Sequence, residues 1–193
     1  MSLRLRLIGP YVSEGLRAAA IMGTGDILAQ TVVEKKQMKD IDVIRTMKYG
    51  SLGMLFVGPV LKYWFGLLDR TIRGKQGSVS RTLKKMAVDQ TIMAPALNFT
   101  IAGLVGLINS EEPRQIMERI KVQYPDIMKT NYMIWPAVQI INFGLVPLRY
   151  QVVFVQTIAV FWNCFVSQML NEKLSKSLDE VAEEQTSTSL QSN

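Results

Sequence analysis

Long stretches without an ionisable side chain alternate with short charged connectors along this chain. Residues 90–108, 130–148 and 150–171 contain no Asp, Glu, Lys or Arg, and residues 49–68 contain only Lys62. Each stretch is close to the roughly 20 residues a helix needs to cross a hydrocarbon core. None shows the charged face that a soluble helix of that length carries. The pattern predicts an all-α, polytopic helical membrane bundle, with four transmembrane helices over about 12–33, 49–69, 81–108 and 127–144. A fifth long apolar helix is expected after a break near Pro147. The 38 residues from Met133 to Leu170 would extend about 57 Å as one helix, nearly twice a core of about 30 Å, so a hairpin is required around Gly144–Arg149. Residues 1–11 read as a basic flank, 12–171 as a single helical membrane domain, and 172–193, acidic and rich in Ser and Thr, as a disordered tail.

Polar side chains interrupt these apolar runs in a pattern of their own. Gln139, Asn142, Gln151, Gln156 and Asn163 are set among aromatic and aliphatic residues between Trp135 and Ser167, where Arg149 is the one charge. A buried amide without a partner costs roughly 1 to 3 kcal/mol, so these groups are expected to face one another, a wet cavity or a ligand. Asp26 and Gln30 are four apart in helix one. An ionised carboxylate near a bilayer centre costs at least about 2.5 kcal/mol, so Asp26 must turn inward, either as a pore or gate residue or as an internal pair that fixes helix register. Asp89 and Gln90 stand at the membrane entry of helix three, with Asn98 following. Asp26, Gln30, Asp89, Gln90, Asn98, Gln139, Asn142, Arg149 and Asn163 are therefore the candidate pore-lining or interior polar residues. Gly58, Pro59, Pro95, Pro136 and Pro147 are the candidate hinges, because proline removes a backbone donor and clashes with the carbonyl four residues earlier.

Small residues recur every four positions at Gly15, Ala19 and Gly23, and a second fourfold row runs through Gln90, Ala94, Asn98, Ala102 and Gly106, stripes that let membrane helices approach closely. The connectors carry the charge. Asp42 and Arg45, three apart, are placed to pair on one helix face. Tyr63 and Trp64 suit the headgroup level, and Lys62 can snorkel to it. The basic segment 69–85 suits anionic headgroups, with Ser78 or Ser80 as a helix cap. Residues 111–123 form an amphipathic helix that lies on the membrane surface or packs on the bundle, and Tyr124-Pro125-Asp126 turns the chain into helix four.

Composition narrows the chemistry. The 193 residues include no histidine and one cysteine, Cys164, which removes the commonest general base and metal ligand and any intrachain disulfide or cysteine cage for zinc. No catalytic residue, metal site or cofactor is expected, and the chain reads as a non-enzyme. Cys164, between aromatic residues, reads as a small buried apolar side chain. The net charge of +6 is concentrated in connectors beside apolar runs, so membrane lipids are the expected partners, with homo-oligomerisation as a further possibility and no direct nucleic-acid binding.

Specific motifs add a resemblance. Trp135-Pro136 with Gln139, Asn142-Phe143, Val146-Pro147 and then Trp162-Asn163 follow the pattern WPxxQxxNFxxVP plus WN. Upstream, Gly25-Asp26 with Gln30, Asp42 with Arg45, Gly58-Pro59 with Trp64 and Leu68-Asp69, Asp89-Gln90 with Ala94-Pro95, and Tyr124-Pro125-Asp126 with Asn131-Tyr132 keep the same order. Over residues 15 to 170 the chain resembles the Mpv-seventeen / peroxisomal-membrane-protein family of integral membrane proteins, on its mitochondrial branch. One position departs: the family carries arginine four residues after Val-Pro, where this chain has Gln151, with Arg149 nearby. The resemblance implies a multi-pass protein of the mitochondrial inner membrane, with the peroxisomal membrane as the alternative. It also implies a weakly selective channel that influences membrane potential, reactive oxygen balance and mitochondrial DNA and nucleotide homeostasis. A structural scaffold without conductance, its amides locking helix packing, and a metabolite or nucleotide transporter, which needs a cluster of inward cations, are the alternatives.

Overall fold

A computed structural model describes residues 3–166, and all the long elements among them are helical. Five rods run up and down. α1 spans Leu3–Leu28 and ends in a wide π-helical turn, Ala29–Val33. α2 covers Val43–Thr71 with a π-helical turn at Gly53–Val57, and α3 covers Val79–Ile108 with another at Asp89–Met93. α4 is an unbroken helix over Pro113–Leu145, and α5 occupies residues 148–166. The expected acidic tail at 172–193 lies outside the described residues.

Contacts between successive helices are antiparallel and follow the chain. Gly15 meets the Met54 backbone, Gly53 the Ala18 carbonyl and Gly58 the Glu14 carbonyl, while Gly23 lies against Thr46. The small-residue stripe of α1 thus has α2 as its partner, glycine facing backbone on both sides. Trp64 reaches Asp89 across α2 and α3. Gly106 meets Ile116, Tyr124 Oη donates to the Pro95 carbonyl, and Asn131 donates to Gln90 across α3 and α4. Trp135 and Trp162 stack edge to face at 6.0 Å between α4 and α5. Val160 touches Gly25, so α5 closes the ring back onto α1.

The prolines act in different ways. Gly58-Pro59 and Ala94-Pro95 each stand immediately after a π-helical turn. One extra residue in the turn opens room for the ring where an α-helical carbonyl would collide with it. Pro147 lies in the break between α4 and α5, the hairpin expected there. Pro136 is not a break, and neither is Pro125: both sit inside α4. The turn expected at Tyr124-Pro125-Asp126 is therefore absent, and the amphipathic segment and helix four form one rod of 33 residues, about 50 Å long. Ile116 and Ile120 are buried, Arg119 donates to the Ala102 carbonyl, and Glu112 and Gln115 form a capping box. This segment packs on α3. α1 likewise begins at Leu3, with Pro10 inside it, earlier than the expected start at Val12.

Two helices, Val43–Thr71 and Val79–Ile108, are long and apolar enough to cross a membrane among the described residues. In the most apolar part of the second only 11% of residues are buried. Leu55, Ile92, Leu107, Met133, Leu145 and Phe161 all face outward, whereas twelve polar or charged residues are buried against fifteen hydrophobic ones. This inverts the arrangement of a water-soluble core, and hydrocarbon is the solvent in which it costs least.

The α1–α2 seam leads to a first prediction. A methyl group added at Gly53 would lie 2.7 Å from the Ala18 carbonyl oxygen, and one at Gly58 2.8 Å from that of Glu14, while Gly103 has nothing within 4 Å. Gly53→Ala and Gly58→Ala are expected to destabilise the detergent-solubilised protein by about 1–3 kcal/mol, and Gly103→Ala by less than about 0.5 kcal/mol, in denaturant unfolding followed by circular dichroism.

Candidate functional site

The polar interior is built in two clusters. The first joins the end of α1 to the start of α2. Gln30, with 0% of its surface exposed, donates from Nε2 to Asp26 Oδ2 at 2.8 Å, to the Asp42 carbonyl and to Thr46 Oγ1, and its Oε1 accepts from the Asp42 backbone N–H at 2.7 Å. Thr46 Oγ1 donates to Asp26 Oδ2 at 2.7 Å, and Arg45 Nε pairs with Asp26 Oδ1 at 2.9 Å. The pair expected between Asp42 and Arg45 side chains does not form. Asp42 caps α2 by accepting from the Arg45 backbone N–H, which frees the guanidinium to bridge Asp26 and Glu34. Burial opposes ionisation of Glu34, but its hydrogen bonds to Lys36 and Arg45 outweigh it and hold the carboxyl below its ordinary range.

The second cluster is centred on Asp89, which is 3% exposed. Trp64 Nε1 donates to its Oδ1 at 2.7 Å, while Gln139 Nε2 at 2.8 Å and Gln90 Nε2 at 3.0 Å donate to Oδ2. Each glutamine is itself oriented by an asparagine: Asn142 Nδ2 donates to Gln139 Oε1 at 2.9 Å, and Asn131 Nδ2 to Gln90 Oε1 at 3.0 Å. All four amides of this network donate in the direction of the Asp89 carboxylate. No cation pairs with Asp89 among the described residues.

A cavity of about 470 Å³ connects the clusters. Glu34, Asp26 and Arg45 line it at one end and Asp89, Gln90 and Gln139 at the other, with Leu61, Trp135 and Val155 in its wall. It does not reach the far end of the bundle. There Phe65 and Phe143 meet edge to face at 5.5 Å, Leu68 is buried, and Lys85 lies over the Phe143 ring while its Nζ pairs with Asp69 at 2.7 Å. The wall also holds unpartnered groups: Gln156 Nε2 and Oε1 and Trp135 Nε1 have no hydrogen-bond partner among the described residues, and nor do the neighbouring Asn142 Oδ1 and Gln151 Oε1.

Eight of the nine polar candidates line this cavity or belong to its hydrogen-bonded wall: Asp26, Gln30, Asp89, Gln90, Gln139, Asn142, Asn98 and Asn163. Asn98 donates to the Ala94 carbonyl of its own helix. One candidate is corrected. Arg149 is exposed, stacked over Tyr150 at 4.6 Å, and lines a different cavity. Asn163 lines the first cavity from an exposed position, outside the hydrogen-bonded network. The interior position near Arg149 belongs to Gln151, which donates to the Asn142 and Val146 carbonyls at the helix break.

Sequence reasoning missed several participants. Trp64 is a ligand of Asp89, not an anchor at the headgroup level, and Asn131 is part of the network. The spacing 131, 135, 139, 142 marks one face of α4, a signal present within the expected helix over 127–144. Lys85 and Arg81 turn inward to Asp69 instead of facing headgroups. Glu14, buried and paired with Arg17 and Lys62, was hidden by its place among basic residues.

The sequence pattern of the Mpv17 / PMP22 family matches residues 106–167. The chain is similar to the mitochondrial inner membrane protein Mpv17 of Drosophila melanogaster, 39% identical over 86% of this chain and 99% of the relative. It is similar also to the Mpv17 of Homo sapiens, 40% identical over 82% of this chain and 89% of the relative, and to the protein SYM1 of Gibberella zeae, 34% identical over the same shares. No solved structure matches it.

Removing one member of the Asp89 network has a calculable cost. Gln139→Ala takes a donor from Asp89 and the acceptor from Asn142, and is expected to destabilise the protein by about 1–3 kcal/mol. Asn163→Ala, outside the network, should stay within about 0.5 kcal/mol. Thermal unfolding of both variants in one detergent compares them.

Proposed function

The chain belongs to the Mpv17/PMP22 family and is a protein of the mitochondrial inner membrane, and on that premise we propose that it is a multi-pass, weakly selective channel without catalytic activity, described here with its path closed. The observation that carries this reading is the Asp89 carboxylate, which faces a cavity of about 470 Å³ with no cationic partner. A buried charge balanced only by dipoles attracts a mobile cation when water reaches it. Arg45 at the other end of the cavity offsets Asp26 and Glu34, which keeps the preference for cations weak.

Closure follows from packing. Phe65, Phe143 and Leu68 form an apolar plug beyond Asp89, and a constriction of this kind bars ions by excluding water. The π-helical turns before Pro59 and Pro95 lie on the helices that carry the plug and the carboxylate. A shift from π to α winding there would rotate Asp89 and Phe65 relative to α4. A cation leak of this kind draws on the membrane potential, which connects the reading to reactive oxygen balance and mitochondrial DNA maintenance.

Charge separates the alternatives. The cavity wall carries Asp26, Glu34 and Asp89 against Arg45 alone, an unfavourable lining for the phosphates of a nucleotide. A scaffold would use the same amides as locks, at about 0.6 kcal/mol for an interhelical bond, and would pass no current. Recording from the purified full chain in planar bilayers under a potassium chloride gradient is expected to show currents with a modest cation preference. Asp89→Asn should move the reversal potential toward zero while the protein keeps its oligomer size and helicity. Silent bilayers at every potential would leave the scaffold reading, and an unaltered reversal potential would remove Asp89 from the path.

A further inference from the structure

We propose that the second cavity is a phospholipid site, taking a phosphodiester whose headgroup carries a hydrogen-bond donor. This cavity, about 440 Å³, lies among α1, α2 and α5 at the end of the bundle where α4 breaks into α5. Arg70 and Arg149 line it, and neither has a carboxylate partner among the described residues. Lys62 adds a third cation, 3.5 Å from Glu14 Oε1.

Glu14 is the informative residue. It is 2% exposed, and its Oε1 takes Arg17 at 3.0 Å as well as Lys62. Its Oε2 has no hydrogen-bond partner among the described residues. A buried carboxylate oxygen without a donor is costly, and here it belongs to the wall of a cavity that carries two unpaired guanidinium groups. A phosphate satisfies the arginines with charge-assisted hydrogen bonds. A hydroxyl or primary ammonium two or three bonds beyond that phosphate satisfies Glu14. Choline, whose nitrogen bears only methyl groups, offers no N–H or O–H.

The surroundings select a lipid over a soluble phosphate. Tyr11 and Tyr63, both exposed, line the cavity with Leu67, Leu148 and Val152. Amphipathic rings of this kind sit at the headgroup level, and basic pockets between membrane helices hold headgroups there. Val12 next to Tyr11, and Leu148 next to Arg149, are exposed apolar surface over which acyl chains can run. Phe65 of the apolar plug forms part of the cavity wall, and lipid binding there does not depend on conduction.

Native mass spectrometry of the full chain, given an equimolar mixture of phosphatidylethanolamine, phosphatidylglycerol and phosphatidylcholine, tests the proposal. Retention of the ethanolamine and glycerol lipids is expected to exceed that of the choline lipid about tenfold, the factor for one hydrogen bond to a charged group. The ethanolamine–choline comparison holds net charge equal and so reports the donor. Arg70→Gln/Arg149→Gln, at exposed positions, should remove most of this retention. Arg73→Gln/Lys75→Gln, which takes two charges from the adjoining loop outside the cavity, should preserve it. Glu14→Gln should level ethanolamine with choline lipid. Equal retention of all three lipids, equal loss in both double variants, or displacement of bound lipid by millimolar inorganic phosphate would each overturn the lipid assignment.

Discussion

The structure depends on a single electrostatic demand: the Asp89 carboxylate, buried among helices that expose apolar side chains, has to be surrounded by N–H groups. Three helices meet that demand. Trp64 comes from α2, Gln90 from α3 and Gln139 from α4, so the acid can be satisfied only when all three are in register. Asn131 and Asn142 then fix which way the glutamines point. An amide flipped at either glutamine would present a carbonyl to the carboxylate, and repulsion in a low-dielectric interior is stronger than in water. The network therefore specifies one arrangement more sharply than its individual bonds stabilise it.

Backbone geometry cooperates with that demand. Asp89 and Gln90 open a π-helical turn, and Gln30 lies within another. Such turns insert one residue and shift the side chains after them around the helix axis. The prolines that follow in α2 and α3 make the wide turns sterically economical. In α2 the same segment carries the glycines that let α1 approach, and so the hinge candidates and the tight seam share one stretch of chain.

The two ends of the molecule handle charge differently. Arg45, Asp26 and Glu34 sit at the mouth of the larger cavity, where pairing leaves little net field. At the other end Lys85 is 2% exposed and held by Asp69 and the Phe143 ring, which seals the interior. Outside that seal, Arg70 and Arg149 have no carboxylate partner among the described residues and line the cavity with Glu14. One face of the protein is thus neutralised by its own residues, and the other leaves cations for something in the membrane.

Charge-free stretches of helix length, the break at Pro147 and the inward orientation of Asp26, Gln139 and Asn142 were all legible in the sequence. The reason is that hydrocarbon admits few exceptions: an apolar run must be helical, and an acid or amide inside it must turn away from lipid. Proline was read too uniformly. Pro59 and Pro95 distort their helices while Pro125 and Pro136 do not, because the outcome depends on neighbours such as Tyr124, which ties α4 to the Pro95 carbonyl. Pairing across helices was equally out of reach. Whether Arg45 served Asp42 or Asp26, whether Trp64 faced headgroups or Asp89, and whether Arg149 or Gln151 held the inner position were decided by the tertiary structure. Local spacing says which side chains share a face, and only the packed bundle says what that face meets.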